Sequence, residues 1–225
     1  MSRFLLRSLL VVFFLFLSPA NLSAAPAQQW LFSNTRLLDF EGKRLDLTLH
    51  TRFQGLDEEP TLYQIQPRFS LNCGKYFRCA TNYSFFALRS KDTTGEELTE
   101  RQNRLEFELN PRFKISDSWS YIGRNRIEYL MNSEFSYINS RFRHRDSLER
   151  QQIFGLSLRA FFANEIFYNL EESTVSQFRV VPLGVRIPWD KEEFSLYPML
   201  VSNKRDGDWQ HAIIIGVDFF FDLFG

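Results

Sequence analysis

The stretch GRNRIEYL, Gly123 to Leu130, decides how the chain is read. Arg124, Arg126 and Glu128 fall on one parity, and Gly123, Asn125, Ile127 and Tyr129 on the other. A strand has a period of two, so one face takes all three charges while the other stays uncharged. The same alternation recurs on both sides. In RLDLTLHTRF, Arg44 to Phe53, Leu45, Leu47, Leu49, Thr51 and Phe53 alternate with Arg44, Asp46, Thr48, His50 and Arg52. Further segments of this kind are LYQIQPRFSL, YFRCATNYSFFALR, RLEFELNPRF, YINSRFRHRDSL, FGLSLRAFFANEIFYNL, TVSQFRVVPLGVRI, EFSLYPMLVS and WQHAIIIGVDFFFDLF, separated by turn-like pieces such as NCGK, KISDS and NKRDGD. The 25 phenylalanines suit β-structure. About ten long strands in series, joined by short links, predict an all-β fold: an antiparallel up-and-down transmembrane β-barrel. Their length matches the ~9–11 residues of a tilted membrane-crossing strand. Twelve strands are the alternative, with one more hidden between Ile153 and Leu170.

The first 27 residues read as a separate unit. Arg3 and Arg7 precede an apolar run from Leu9 to Leu17, and small residues ending in Ala25-Pro26-Ala27 follow. This is the layout of a cleaved secretory signal peptide, with cleavage after Ala27 and Ala24 or Ala25 as alternatives. The apolar run falls short of the ~20 residues of a spanning helix. Residues 28–225 then form the barrel domain. Within it, 28–43 is expected to stay outside the wall, because an extra crossing would carry the N-terminus to the outer side. The signal holds two of the 27 basic residues and none of the 27 acidic ones, leaving a mature chain near −2. That balance gives no electrostatic footprint for nucleic acid. Cys73 and Cys79 are the only cysteines, and in an exported chain they are expected to pair across a tight turn.

Alternation does not separate a soluble barrel from a membrane barrel, whose apolar parity faces lipid. Aromatic residues near the turns, among them Trp119, Tyr121, Tyr129, Phe135, Tyr137, Trp189, Phe194 and Trp209, match interfacial girdles. The chain also ends on an aromatic strand with Phe219, Phe221 and Leu223 on one parity. Which parity of residues 175–203 faces lipid stays open, because both carry apolar residues.

The order of these segments, with Arg124, Arg126 and Glu128, then Arg141, Arg143 and Arg145, then Glu165 and Arg179, resembles the bacterial family called domain of unknown function 2490. The resemblance spans nearly the whole mature chain on short motifs. It implies an exported outer-membrane barrel without an assigned activity.

In a membrane barrel the charges must face the lumen, since arginine facing lipid at the midplane costs ~2–4 kcal/mol. Arg104, Glu106 and Glu108 share a parity on the preceding strand, and Arg141, Arg143 and Arg145 on the following one. Together with Arg124, Arg126, Glu128, Glu165 and Arg179 they form a candidate lumen ladder. Two readings follow: a structural array filling a narrow lumen, or a basic constriction that passes small anions. The expected partners are outer-membrane lipids, the barrel-assembly machinery and a small solute. A soluble periplasmic barrel that binds a small ligand is the alternative function, and an outer-membrane hydrolase the second. For the hydrolase, His144 and Asp146 share a parity while Ser147 points the other way, and His50 and His211 show no serine pattern. No catalytic residues are assigned. Three scattered histidines give no metal-ligand spacing, and no cofactor motif is present.

Overall fold

The computed structural model describes residues 28–54, 59–91, 96–153, 156–205 and 207–223. The expected signal peptide, with cleavage expected after Ala27, and the terminal Phe224-Gly225 lie outside these residues. Among the described residues, eleven strands make one closed barrel: β1 (Gln28–Phe40), β2 (Lys43–Phe53), β3 (Pro60–Asn72), β4 (Phe77–Lys91), β5 (Glu97–Lys114), β6 (Trp119–Asn132), β7 (Tyr137–Arg150), β8 (Arg159–Asn169), β9 (Thr174–Trp189), β10 (Glu192–Arg205) and β11 (Asp208–Asp222). Sequence neighbours pair antiparallel, and β1 closes the ring against β11 in parallel. We call the end where β11 finishes the lower end.

The strand count corrects the expectation for residues 28–43. They are not held outside the wall. They supply β1 and the turn into β2, and β1 pairs with both neighbours, Ser33 facing Phe219 on β11 and Leu49 on β2. Its own alternation explains this. Trp30 and Phe32 fill the interior, and Arg36 reaches Asp222 at 2.5 Å and Asp46 at 3.7 Å. Barrels of this kind usually close with an even number of strands. A meander with an odd number can close only through one parallel pair, which places Gln28 and Asp222 toward opposite ends. The segment from Ile153 to Leu170 yields a single strand, β8, so the twelve-strand alternative is also set aside.

The turns follow from local chemistry. Glu41 and Gly42 both take positive φ, 49° and 77°, the geometry of a two-residue hairpin that matches strand twist. The turn between β3 and β4 is closed by a Cys73–Cys79 disulfide with a Cα–Cα separation of 5.8 Å, as expected.

Polarity is inverted relative to a soluble barrel. Along β3, Leu62, Gln66 and Ser70 are buried inward while Tyr63, Ile65, Phe69 and Leu71 are exposed outward. Along β5 and β6, Glu106, Glu108, Arg126 and Glu128 are buried while Phe107, Leu109, Ile127 and Tyr129 are exposed. The outer surface is therefore an apolar band with aromatic residues toward both ends, Trp119 and Trp189 below, Tyr137 and Trp209 above.

The open parity near residues 175–203 is now fixed. Arg179 and Val181 point inward, and so do Gly184 and Arg186, with Leu183 outward. The inward parity changes across Pro182. Pro182 on β9 and Pro198 on β10 each remove a backbone donor, and the β9–β10 register shifts between Leu196 and Leu200. Glycine shapes the same region. A Cβ on Gly216 would lie 2.3 Å from the Tyr197 ring, and one on Gly184 would lie 2.2 Å from the Phe161 ring. The missing side chains let both rings lie flat along the inner wall, leaving the centre open.

Candidate functional site: a two-sided lumen

The inner face of β2 to β8 is ionic. Each member arrives by strand alternation, and the register sets partners: Glu108 stands opposite Arg126, Glu128 opposite Arg141, and Glu165 opposite Arg179. Arg126 is the centre. It donates to Glu108 from Nε at 2.7 Å and also from Nη2, and its Nη1 lies 3.0 Å from Glu106 and 3.3 Å from Glu128. Glu106 further accepts from Gln66 at 2.7 Å and Asn82 at 2.8 Å. Glu128 accepts from Arg141 and, at 2.5 Å, from Arg143. Glu165 gathers Arg124 at 2.7 Å, Arg143 at 2.9 Å and Arg179 at 3.6 Å. Arg104 lies 3.6 Å from Glu106 and 3.7 Å from Glu128. Ten of the eleven candidate ladder residues thus sit in one connected network. Arg145 lines the same cavity with no carboxylate in salt-bridge range among the described residues.

Sequence reading missed the lower tier. Arg68 joins Asp46 at 3.4 Å and Glu108 at 2.9 Å. Arg186 and Arg159 meet Glu149 at 2.7 and 3.3 Å, and Arg159 also pairs with Glu193. Their alternation was visible in sequence, but their partners depend on strand register, and Glu108, Glu149 and Glu193 are reached two strands away by Arg68, Arg186 and Arg159.

The inner face of β1 and β8 to β11 also carries an apolar cluster. Trp30, Phe161, Ala163, Val181, Tyr197, Met199, Val201 and Ile214 form one buried cluster. Guanidinium groups lie against aromatic rings at its border: Arg52 3.9 Å and Arg179 4.8 Å from the centre of Trp30, Arg104 4.3 Å from Phe86, and Arg143 and Arg179 each 4.3 Å from Phe167. Stacking of this kind holds a guanidinium plane while leaving its N–H edge free.

Between the two sides lies a cavity of about 1030 Å³, reaching the turn at Gly74–Tyr76. Of its lining residues fifteen are arginine or lysine and five are aspartate or glutamate. Two further carboxylates, Glu106 and Glu128, lie buried behind the arginines and line no part of the cavity. The Nε groups of Arg104, Arg124, Arg143 and Arg179 are buried and make no hydrogen bond. The lumen is therefore narrow and basic, but it is not filled.

The histidines take separate places. His50 is buried, stacks on Phe32 at 3.8 Å, and meets Gln64 at 3.1 Å and Arg52 at 3.3 Å. His144 faces outward, between Asn125 at 2.8 Å and Asp146 at 2.9 Å, and Tyr121 donates to the same Asp146. Ser147 points inward, its hydroxyl 3.1 Å from the Phe162 carbonyl. His211 does have a serine partner, Ser202, directly across the β10–β11 ladder at 2.8 Å. Cross-strand neighbours carry no signature in sequence. Among the described residues no carboxylate orients this His211, so the pair lacks the third member of a nucleophilic triad.

No protein-family model matches the sequence, and no curated protein matches it significantly. Among solved structures, the β domain of the Bordetella autotransporter BrkA is similar in fold, with 12% identity over 78% of this chain and 82% of that chain and a TM-score of 0.42.

Proposed function

We propose that the chain is an outer-membrane β-barrel whose basic lumen takes up small anions. The carrying observation is the charge of the cavity wall, fifteen cationic residues against five anionic ones, in a mature chain that is nearly neutral. A low-dielectric wall lined by one sign of charge concentrates the opposite sign. The membrane setting is supported by the apolar outer band and by the cost of the reverse arrangement, since each arginine turned to lipid would lose ~2–4 kcal/mol. Export through the signal peptide, insertion by the barrel-assembly machinery, and kinship with the family called domain of unknown function 2490 belong to the same proposal. They rest on the N-terminal pattern and the charged motifs.

A purely structural role for the ladder is the second reading, favoured by Arg126, whose guanidinium already meets three carboxylates. Reconstitution into planar bilayers under a potassium chloride gradient separates the two. Anion uptake gives a reversal potential of the sign set by chloride. A structural array gives no conductance, and cation selectivity would refute the basic-lumen proposal.

A further inference from the structure

The lumen has more to it than positive charge. Trp30 belongs to the apolar cluster and also carries Arg52 and Arg179 against its ring. Arg52 has no carboxylate in salt-bridge range among the described residues, and its nearest hydrogen-bond partner is His50 at 3.3 Å. Arg104 meets carboxylates only at 3.6 and 3.7 Å, and Arg179 only at 3.6 Å. These three arginines line the same cavity as Val181, Tyr197 and Met199. A cavity with guanidinium groups on one wall, one of them without a carboxylate, and a hydrocarbon surface on the other matches a two-part ligand. An inorganic anion would satisfy the arginines but leave the apolar wall wet. A neutral apolar molecule would leave the donors unpaired, which is costly in a buried site.

We infer that this part of the lumen binds an amphiphilic organic acid, its carboxylate held by Arg52, Arg104 and Arg179 and its apolar body laid on Val181, Tyr197 and Met199. Trp30 is the joint between the two subsites. Selectivity then comes from their spacing: the anionic head fixes the end, and the apolar body sets the affinity. This inference rests on the proposal that the lumen takes up anions and narrows it to one class of them.

The test uses the whole mature chain refolded in maltoside micelles and titrated calorimetrically with acetate, butyrate, hexanoate, hexanol and inorganic phosphate, each corrected against empty micelles. We expect affinity to rise about three- to four-fold per methylene along the acid series. Hexanol should bind at least about ten-fold more weakly than hexanoate, the loss of one charge-assisted contact. Arg52→Gln should weaken hexanoate and leave hexanol unchanged. Met199→Gln should flatten the chain-length series and spare phosphate. The wild-type series stands without either variant, should one fail to fold. Acetate and phosphate binding as tightly as hexanoate would overturn the amphiphile while leaving an anion-binding lumen. Hexanol equal to hexanoate would overturn the role of the arginines. Absence of binding by every anion would overturn both.

Discussion

Replacing Arg126 with methionine keeps the length of the stem and removes the guanidinium. In the native barrel that group meets Glu108, Glu106 at 3.0 Å and Glu128 at 3.3 Å. The three carboxylates do not depend on it equally. Glu108 keeps Arg68 at 2.9 Å, and Glu128 keeps Arg141 and Arg143. Glu106, fully buried, keeps two amides, Gln66 and Asn82, and a more distant Arg104 at 3.6 Å. It is the carboxylate left stranded. Breaking a buried pair from one side costs ~3–5 kcal/mol, so Arg126→Met should lose about that much. Glu106→Gln should cost less, because Arg126 retains two carboxylates and the new amide can still hydrogen-bond. The double variant should be less destabilised than the sum of the singles by about 0.5–3 kcal/mol, the range for residues in one ion network. Urea titration of protein folded into phospholipid vesicles, followed by tryptophan fluorescence, measures all four corners of the cycle. Additivity within about 0.5 kcal/mol would refute the pairing of these two side chains across β5 and β6.

Four other expectations follow from the geometry. The Cys73–Cys79 bridge closes a short loop, for which chain-entropy arguments give about 2 kcal/mol; urea titration with and without reductant should show a loss of that order. Gly216→Val would drive a Cβ against Tyr197, and overpacking of this kind costs ~1–3 kcal/mol, read as a lower urea midpoint. Tyr121→Phe removes the hydroxyl that Asp146 accepts on the outer face, and should cost about 0.5–1.5 kcal/mol, or somewhat more for a charged acceptor, by the same titration. Ser33 and Phe219 are partners across the parallel seam, so cysteines at both positions should cross-link under mild oxidation. A cross-link from position 219 to β2 instead would return the barrel to ten strands.

What could be read in the sequence was what strand alternation alone controls. The charges of GRNRIEYL point inward with their neighbours because a period of two fixes the face wherever the ladder is regular. Glu106, Glu108, Arg126 and Glu128 converge for that reason. Residues 175–203 resisted the same reading because both faces of VVPL are apolar and the inward parity changes at Pro182. The eleventh strand was hidden by a topological prior, an even strand number with both termini on one side, which β1 overrides through the anchors Trp30 and Arg36. Pairings such as Arg68 with Asp46, or Ser202 with His211, depend on register. Sequence left the choice between a filled lumen and a basic constriction open. An arginine–glutamate ladder suggests a filled lumen, but here Glu106 and Glu128 lie behind the cavity wall, and Tyr197 and Phe161 fold over glycines.

The most direct measurement is the reactivity of a single cysteine at Thr48, which lines the cavity. The two native cysteines are bridged and stay silent without reductant. With the barrel in vesicles, the labelling rate is compared for an anionic and a cationic methanethiosulfonate of similar size, relative to their rates with a free thiol. A cavity that concentrates anions should favour the anionic reagent by about ten-fold or more at low salt, falling as salt is raised. Equal rates, or a preference for the cationic reagent, would contradict the basic, anion-taking lumen.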